Sequence, residues 1–563
     1  MANFRDLIKD TVSQHGDCVA FTLKTSKGKN PEYRDITYNE FYEEIRAVGT
    51  SMIEYGIAGK RVAIIGSNCY EWFLTHCAAL LSGSVSVPLD KGLKIDELKE
   101  SLNRAEISYV FYAPDQKDNV EQLMEEGSTC VLHAFPLFAD EKLGIRELIA
   151  KGKALIEAGN REFDAVEIDD YAMSIMLFTS GTTSQSKIVM LSQNNIVSNA
   201  YLTLASEPVY ETDTNLALLP FHHVMGSIAM WVLLLAGSRT VFCDGLKHIQ
   251  KNMVEYGVTI FIGVPLIVES IYKRIMHQAE KNGIAGKVKK LAKVGRALNK
   301  MHIDIRRKMF KSVIDALGGE LRMCIIGGAA GDKECIEGFS DFGILTLQGY
   351  GLTETSPILT AEMPGHQCAG SVGVPLKGID VIIDNPDENG IGEIIARGEN
   401  IMLGYYGNQE ATDEVLIDGW FHTGDLGRFD RKGHLFITGR KKNVIVLKNG
   451  KNVFPEELEQ LIAPLPYVSE AVVLGVPEPD DDRDLVVTLK LVYNKEVLGD
   501  MSPDEVYAKV KEDIELINDK TPNYKRIRRI IVTDQEMVKT TTGKVKRFVE
   551  IENIINERKK QGK

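Results

Sequence analysis

The stretch Phe178-Thr-Ser-Gly-Thr-Thr-Ser-Gln-Ser-Lys-Ile-Val189 decides how the rest of the chain is interpreted. It follows an apolar run, Met173–Phe178, that predicts a strand, and it precedes a segment from Ser192 that predicts a helix. Small side chains let backbone N–H groups approach phosphate oxygens, and Lys187 adds a positive charge, so the loop suits an anion. It is not the Walker pattern, in which Gly-Lys-Ser/Thr closes the loop. A flexible polar turn is the alternative interpretation.

The composition is that of a globular protein with a large core. The chain has 563 residues, 44% hydrophobic and 26% charged. Its formal net charge of −13 argues against general nucleic-acid binding, which needs a basic surface. The eight cysteines form no C-x-x-C pair and the chain starts without a signal segment, so we expect reduced thiols in a cytoplasmic protein. No uncharged run predicts a membrane span.

Strand and helix patterns alternate along most of the chain. A strand at 61–67, a helix at 69–81 and a strand at 84–89 predict a βαβ unit, and the pattern repeats through 107–113, 128–135 and 173–178. We therefore predict an α/β fold. A large N-terminal domain of doubly wound mixed or parallel sheets, with a small β subdomain, would span residues 1–440. A small α+β lid domain would span residues 441–563.

One segment differs from this alternation by its charge. Residues 287–311 carry ten Lys or Arg and a single acid, Asp304, with apolar residues at helical spacing. The pattern predicts a basic amphipathic helix. We interpret it as a solvated charged face over a packed apolar stripe. Peripheral contact with a membrane surface is the alternative.

Four further motifs follow the first stretch. They are Leu219-Pro-Phe-His-His223, Gln348-Gly-Tyr-Gly-Leu-Thr-Glu-Thr355, Gly419-Trp-Phe-His-Thr-Gly-Asp425 with Gly439-Arg-Lys-Lys442, and Thr541-Thr-Gly-Lys544. Together the five motifs resemble those of the adenylate-forming (ANL) superfamily of AMP-dependent synthetases and ligases. The run Gly327-Gly-Ala-Ala330 and the basic insertion before it resemble the long-chain fatty acyl-CoA synthetase branch. The resemblance spans about residues 170 to 550.

The resemblance implies ATP-dependent activation of a carboxylic acid. A carboxylate does not react with a thiol in water, because oxide is a poor leaving group. Formation of an acyl-AMP with release of pyrophosphate removes this barrier, and the family then transfers the acyl group to CoA. We expect ATP and CoA as co-substrates, Mg²⁺ as the metal, and a medium- or long-chain fatty acid as substrate. Transfer to an acyl carrier protein, luciferase-type oxidation and a degenerate binding-only protein are the alternatives.

The resemblance also implies roles for individual residues. The β- and γ-phosphates would contact Thr179, Ser180, Gly181, Thr182, Thr183 and Lys187. The adenine would lie beside Gly328 and Ala329 and stack on Tyr350, within the strand end Gln348, Gly349, Tyr350 and Gly351. Thr353 would contact the α-phosphate, and Glu354 would bind Mg²⁺ with help from Thr179.

Asp425, near Arg440, would accept hydrogen bonds from both ribose hydroxyls. His223 would position the reacting carboxylate or gate its access. Lys544 would reach the α-phosphate and the substrate carboxylate during adenylation. For thioester formation the lid would rotate about Lys442, so that the loop containing Asn449 and Gly450 replaces Lys544.

The phosphate loop departs from the family pattern at three positions. Ser184 and Ile188 stand where the family usually has glycine, and Ser186 stands where proline is common. Because loss of glycine restricts positive φ, we expect a less mobile loop or weaker ATP binding.

Overall fold

The computed structural model describes residues 3–26, 28, 30–138, 144–179, 186–329, 331–479, 481–539 and 545–560. The chain forms two compact units, each described by itself below. The first unit comprises residues 1–179, 187–381 and 396–421, and the second comprises 180–186, 382–395 and 422–563. The domain boundary between residues 440 and 441 stays a prediction.

Helices in the described residues are numbered in chain order. They are α1 (Phe4–His15), α2 (Tyr38–Glu54), α3 (Tyr70–Leu81), α4 (Ile95–Arg104), α5 (Lys117–Glu126), α6 (Ile145–Glu157), α7 (Glu162–Ala165), α8 (Gln193–Ser206), α9 (Val224–Leu235), α10 (Ile249–Tyr256), α11 (Pro265–Lys281), α12 (Ala285–Lys300), α13 (Arg306–Met309), α14 (Lys311–Ala316), α15 (Lys333–Asp341), α16 (Gln409–Asp413), α17 (Pro455–Ile462), α18 (Lys495–Leu498), α19 (Pro503–Asn518) and α20 (Arg547–Lys560).

The strands are numbered in the same way. They are β1 (Val19–Lys24), β2 (Tyr33–Thr37), β3 (Arg61–Ile65), β4 (Val85–Leu89), β5 (Tyr109–Tyr112), β6 (His133–Pro136), β7 (Met173–Phe178), β8 (Ile188–Ser192), β9 (Thr214–Ala217), β10 (Arg239–Phe242), β11 (Ile260–Gly263), β12 (Met323–Ile326), β13 (Leu345–Gly351), β14 (Ile358–Ala361), β15 (Val374–Pro375), β16 (Asp380–Asp384), β17 (Gly392–Arg397), β18 (Gly404–Tyr405), β19 (Leu416–Ile417), β20 (Trp420–Phe429), β21 (Leu435–Arg440), β22 (Ile445–Val446), β23 (Asn452–Val453), β24 (Val468–Glu478), β25 (Asp481–Tyr493) and β26 (Arg529–Thr533).

Two large mixed sheets dominate the first unit and confirm the predicted α/β class. One has the strand order β15-β14-β13-β12-β11-β9-β10-β1-β2, and the other has the order β18-β8-β7-β4-β3-β5-β6. In the first sheet β11, β12 and β13 pair in parallel, which brings their carboxyl ends to one edge. A small sheet of order β16-β17-β20-β19, with β21 beside β20, matches the predicted β subdomain. The second unit contains the three-stranded sheet β24-β25-β26.

One hydrophobic core joins the two large sheets through the helices between them. It combines side chains of β1, β3 and β7 with side chains of α1, α2, α3, α8 and α9. Phe4 of α1 stacks on Trp231 of α9 with ring centroids 4.0 Å apart. Both rings are fully buried, so the position of α9 and of the loop before it is fixed from the amino-terminal helix.

The predicted order of strand, loop and helix around the phosphate loop is wrong in one respect. Strand β8 follows the loop and pairs antiparallel with β7, with Phe178 opposite Ile188. Helix α8 begins only after this strand and is capped by the Ser192 side chain. Residues 179–187 therefore join the two strands of a hairpin, and no helix N-terminus follows them directly. Within this loop, residues 180–185 lie outside the described residues.

The basic segment also differs from its prediction. Its helical pattern is interrupted after Lys300 and resumes at Arg306. Part of the expected packed stripe is exposed, because the exposed fractions are 40% for Leu291, 67% for Met301 and 37% for Ile305. Among the described residues, no helix combines the length and apolar character needed to cross a bilayer.

Helices α2 and α6 pack with their backbones in close contact. A Cβ added to Gly152 of α6 would lie 1.8 Å from the carbonyl oxygen of Ala47 in α2. Nearby, the Ser51 hydroxyl donates to the carbonyl oxygen of Leu148 at 2.7 Å. Because that carbonyl belongs to a buried helix, the clash cannot be relieved by a side-chain rotation.

We expect Gly152→Ala to lower the free energy of unfolding by about 1–3 kcal/mol, the usual cost of overpacking. The measurement is the midpoint of chemical denaturation. Gly286→Ala is the matched control, because an added Cβ there meets no atom within 4 Å and alanine favours the helix. Equal midpoints for the two variants would contradict the close contact.

Candidate functional site

The carboxyl ends of β12 and β13 form an open edge in the first unit. Ile326 pairs with Gln348, and Gly327 follows so closely that an added Cβ would lie 3.3 Å from the Gly349 carbonyl oxygen. Gly328 has φ +82° and open space beside it, and Ala329 is exposed. The structure thus brings the residues predicted to flank the adenine, Gly328 and Ala329, to the strand end that carries Tyr350.

The turn after β13 presents Thr353 and Glu354. It is a 3₁₀ turn, closed by a hydrogen bond from the Leu352 amide to the Pro357 carbonyl oxygen at 3.2 Å. Gly351 is needed for this close approach, since an added Cβ would lie 1.8 Å from the same oxygen. Thr353 and Glu354 are half-buried.

Tyr405 connects Glu354 with Lys187. Its hydroxyl donates to Oε1 of Glu354 at 2.9 Å, and the Lys187 ammonium lies over its ring, 4.3 Å from the centroid. Tyr405 itself is 5% exposed and lies in β18, which pairs with β8 directly after Lys187. One buried ring therefore holds an acidic and a basic predicted site residue near each other, without a direct ion pair between them.

Thr179 closes the base of the phosphate loop. Its amide donates to the carbonyl oxygen of Lys187 at 2.9 Å, and its hydroxyl donates to the same oxygen at 3.3 Å. Thr179 thus lies next to Lys187, and its hydroxyl takes part in the backbone turn.

Buried asparagines of α8 hold the segments that carry Glu354 and Tyr405. Asn195 donates to the carbonyl oxygens of Glu399 and Ile401, at 2.6 and 2.9 Å. Asn199 donates to the carbonyl oxygen of Ile358 at 2.8 Å and accepts from its amide. Because these amides are buried and paired, they fix both segments with little freedom to move.

The two histidines of the second motif lie at the start of α9. Asn68, just after β3, accepts from the Phe221 amide at 3.0 Å and donates to the Leu219 carbonyl oxygen at 2.7 Å, which holds the motif in place. The rings of His222 and His223 are 4.2 Å apart. Burial, followed by the neighbouring His223, lowers the pKa of His222 to about 4, so His222 is neutral at neutral pH.

In the second unit, Asp425 and Arg440 pair across β20 and β21. Nε of Arg440 lies 2.7 Å from Oδ1 of Asp425, and the two residues are opposite each other in the register. The Asp425 carboxylate is buried, and its amide donates to the Thr423 hydroxyl at 3.0 Å. The predicted pair is therefore formed, with the carboxylate oriented by the arginine.

A second carboxylate, Glu393, lies among donors of the same unit. It accepts from Lys441 at 2.8 Å and from the Gly424 amide at 3.1 Å, and His422 lies 3.2 Å away. Burial favours a raised pKa for Glu393, but the hydrogen bonds from Lys441 and His422 outweigh it, so the pKa lies below its ordinary value.

The predicted hinge and thioester loop also belong to the second unit. Lys442 is exposed in a 3₁₀ turn, and Asn449 and Gly450 form the turn between β22 and β23. Gly450 has φ +75° and its amide donates to the Leu447 carbonyl oxygen at 2.8 Å. Lys544, like Ser180, Gly181, Thr182 and Thr183, lies outside the described residues. The residues that flank its segment, Lys539 and Val545, form an antiparallel bridge.

Tyr405 is the site residue that sequence reasoning missed. The signal was present as an aromatic pair after a glycine, Gly404-Tyr405-Tyr406. Nothing local to that run identifies its hydroxyl partner, which lies 51 positions earlier in the chain.

Comparisons with known proteins identify the family to which the chain belongs. The AMP-binding enzyme family model matches residues 8–406, and the AMP-binding enzyme C-terminal domain model matches residues 442–553. The chain therefore belongs to the AMP-binding enzyme family, within the adenylate-forming superfamily.

Individual relatives indicate the branch of the family to which the chain belongs. The long-chain-fatty-acid–CoA ligase FadD15 of Mycobacterium bovis is 27% identical over 497 residues, which cover 83% of this chain and 82% of the relative. An anthranilate CoA ligase in complex with anthranoyl-AMP has a similar fold, with a TM-score of 0.78, 19% identity and coverage of 98% of this chain and 97% of the other. ATP-bound MatB from Rhodopseudomonas palustris has a TM-score of 0.76 and 24% identity, with 98% and 99% covered. Within its family the chain lies in the long-chain acyl-CoA synthetase-like branch.

We expect Tyr405→Phe to weaken Mg²⁺-dependent ATP binding by about 10-fold, the usual loss for one hydrogen bond to a charged group. The phenylalanine keeps the ring beneath Lys187 and removes the hydroxyl that donates to Glu354. Calorimetric titration with ATP at several Mg²⁺ concentrations measures the effect.

Tyr406→Phe is the matched control, since its hydroxyl donates to the exposed Glu106 at 3.0 Å. Unchanged affinity in Tyr405→Phe, or an equal loss in Tyr406→Phe, would show that the Tyr405 hydroxyl does not position Glu354 for the metal.

Proposed function

We propose that the protein joins a medium- or long-chain fatty acid to CoA in two steps driven by ATP. The observation that carries the proposal is the Lys187–Tyr405–Glu354 arrangement beside the strand end with Tyr350. The Lys187 ammonium and the Glu354 carboxylate lie near each other without forming an ion pair. This arrangement suits a triphosphate and its metal, because the ammonium can bind phosphate oxygens and the carboxylate can bind the metal ion. The family membership supports the same chemistry.

In the first step, a carboxylate oxygen of the acid attacks the α-phosphorus of ATP. A new P–O bond forms, the bond to the β-phosphate oxygen breaks, and pyrophosphate leaves with its electron pair. In the second step the CoA thiolate attacks the acyl carbon, and AMP leaves as the C–O bond breaks. The thiol proton passes to solvent or to a base.

The residues of the first unit would act on the triphosphate. Lys187, with Thr179 at the base of its loop, would bind the β- and γ-phosphates, and Thr353 would contact the α-phosphate. The carboxylate of Glu354 is a hard oxygen donor already oriented by Tyr405, which fits Mg²⁺. That ion, when bound, would neutralise phosphate charge.

The second unit would contact the ribose. It would also change which of its residues face the reaction between adenylation and thioester formation. Asp425, oriented by Arg440, would accept the ribose hydroxyls. Rotation about Lys442 would exchange Lys544 for the loop with Asn449 and Gly450. In the first unit, His223 would border the reacting carboxylate, and its neighbour His222 is neutral at neutral pH.

The identity of the acid as a fatty acid is the more specific part of the proposal. It is supported by the name of the M. bovis relative, a long-chain-fatty-acid–CoA ligase at 27% identity. The anthranilate ligase has the same fold with a different acid, so fold alone does not choose the substrate. Transfer to an acyl carrier protein stays the second candidate for the acceptor, and the cytoplasmic location stays a prediction.

The test of function is ATP–pyrophosphate exchange over straight-chain carboxylic acids of increasing length. We expect exchange that rises with chain length, because each buried CH₂ adds about 0.8 kcal/mol of binding. Product analysis with CoA and with acyl carrier protein, offered separately, identifies the acceptor. If the protein binds ATP but none of the carboxylic acids supports pyrophosphate exchange, the binding-only alternative is favoured.

We expect Lys544→Ala to lower the rate of acyl-AMP formation by about 10²–10³-fold, the usual loss for one donor to a transition state. Lys546→Ala, two positions away, is the matched control and should keep the rate. Near-normal pyrophosphate exchange in Lys544→Ala would contradict the role. Single-turnover measurement of thioester formation from preformed acyl-AMP should remain near normal in the same variant.

A further inference from the structure

Three side chains that the proposed reaction does not use meet at one place in the first unit. They are His15, the last residue of α1, Cys18, just before β1, and Glu211, in the loop between α8 and β9. Nδ1 of His15, Sγ of Cys18 and a carboxylate oxygen of Glu211 all lie within 4.8 Å of one another. Nitrogen, sulfur and oxygen donors grouped in this way are the ligands by which proteins bind transition-metal ions.

A tight turn brings His15 and Cys18 together. The Cys18 amide donates to the His15 carbonyl oxygen at 2.8 Å, so the two side chains leave the same short loop. The start of α2 holds this loop, because the Asn39 amide donates to the Gly16 carbonyl oxygen at 2.9 Å. The Tyr38 amide donates to the Cys18 carbonyl oxygen at 3.1 Å. Two residues between ligands is a common spacing in metal-binding loops.

Glu211 comes from a turn that is distant in the chain and is also fixed by the fold. The Asp213 amide donates to the Tyr210 carbonyl oxygen at 3.0 Å, and the Tyr210 amide donates to Oδ2 of Asp213 at 2.8 Å. The buried Asp213 carboxylate also accepts from Nε of Arg322 at 2.7 Å. The backbone of Glu211 therefore has a set position, while its side chain is 57% exposed and can rotate.

The His15 ring lies against the backbone of the turn after α9. A Cβ added to Gly237 would lie 2.5 Å from Cγ of the His15 ring. Nδ1 of the ring lies 3.1 Å from Oε2 of Glu211 without forming a hydrogen bond to it. Within the described part of the chain this buried nitrogen has no hydrogen-bond partner, which is costly. A metal ion bound by both atoms would remove that cost.

We propose that His15, Cys18 and Glu211 bind one Zn²⁺ ion. The neutral imidazole would donate the Nδ1 lone pair, Cys18 would bind as a thiolate and Glu211 as a carboxylate, and a water molecule would complete the tetrahedron. The Cys18 thiol releases its proton to solvent as the Zn–S bond forms, and nothing is oxidised or reduced. The two anionic ligands balance the charge of the ion, which suits a site that is only partly exposed.

Small side-chain movements are sufficient to close this site. Bonds of about 2.0–2.3 Å from Zn²⁺ to nitrogen, oxygen and sulfur place the ligand atoms of a tetrahedron about 3.3–3.7 Å apart. The His15–Glu211 separation of 3.1 Å is close to this range, and the other separations are at most 4.8 Å. The exposed Glu211 side chain can make most of the adjustment, whereas the His15 side chain is only 17% exposed.

The bound ion would join three segments of the first unit. These are the end of α1, the start of β1 and the loop before β9. The negative end of the α1 dipole lies at His15, so a cation is also favoured there by the helix. Because the unfolded chain does not bring the three ligands together, Zn²⁺ binding should stabilise the folded state.

The test uses Co²⁺ as a spectroscopic substitute for Zn²⁺. It is added to the full chain after treatment with a chelator and a reductant, without ATP or acid, so the result does not depend on the proposed enzymatic function. We expect one equivalent of Co²⁺ to produce a sulfur-to-cobalt charge-transfer band, and one equivalent of Zn²⁺ to remove it. Excess Mg²⁺ should leave the band unchanged, because thiolate and imidazole ligands suit softer ions.

Variants of the ligands test which residues bind the ion. Cys18→Ser should abolish the charge-transfer band and lower the Zn²⁺ affinity, measured by competition with a chromophoric chelator, by at least about 10²-fold. Glu211→Gln should keep the band, because the thiolate remains, but should lower the affinity by at least about 10-fold. Added Zn²⁺ should raise the thermal unfolding midpoint of the unmodified chain and leave that of Cys18→Ser unchanged.

The matched controls change the same residue types at exposed positions. Cys130→Ser removes a thiol whose contacts are with the carbonyl oxygens of Leu102 and Ile107, and Glu54→Gln removes a carboxylate at the far end of α2. Both controls should show the band and the affinity of the unmodified chain. Midpoints measured without metal show that each variant is folded.

Three outcomes would overturn the proposal. One is the absence of a charge-transfer band in the folded, reduced chain. Another is retention of the band in Cys18→Ser, which would place the ion at a different cysteine. The third is equal Zn²⁺ affinity in Glu211→Gln and Glu54→Gln, which would reduce the His15–Glu211 approach to an ordinary contact between side chains.

Discussion

The arrangement depends on keeping Lys187 and Glu354 close together but not paired. A direct ion pair would have to be broken before either group could bind a phosphate or a metal. Tyr405 prevents this because it contacts the two groups at different places. The Lys187 ammonium lies over its ring, 4.3 Å from the centroid, and its hydroxyl donates to the Glu354 carboxylate at 2.9 Å. Both charges stay oriented at the cost of one buried aromatic side chain.

That separation requires three distant segments to meet, and α8 accounts for their meeting. Its asparagines bond the backbone near residues 358 and 399–401, while β8 directly precedes it in the chain and pairs with β18. Buried amides inside a helix would be costly without partners. Their presence in α8 is therefore explained by the backbone groups they fix, which lie after Glu354 and before Tyr405 in the chain.

The local pattern of residues in the sequence predicts much of the fold, but it does not predict contacts between distant parts of the chain. The strand Met173–Phe178, the helix predicted at 69–81 and the strand predicted at 84–89 appear within a few residues of their predicted bounds, because the hydrophobic period acts over a few residues. Strand β8 was missed, since five residues between a polar loop and a helix carry little periodicity. Tyr405 was missed because its partners are set by tertiary pairing.

The basic segment shows what a charge count leaves out. The sequence contains ten cations between residues 287 and 311, and the structure assigns them unequal surroundings. Arg306 bonds Asp304 and the Ser340 carbonyl oxygen, and Arg307 bonds two backbone carbonyl oxygens, so these guanidinium groups stabilise the turn after α12. A guanidinium group presents several donors in a fixed planar arrangement, so it suits acceptors whose positions the backbone holds. The number of cations in the segment therefore does not tell which of them support the turn after α12, because that depends on acceptors from other parts of the chain.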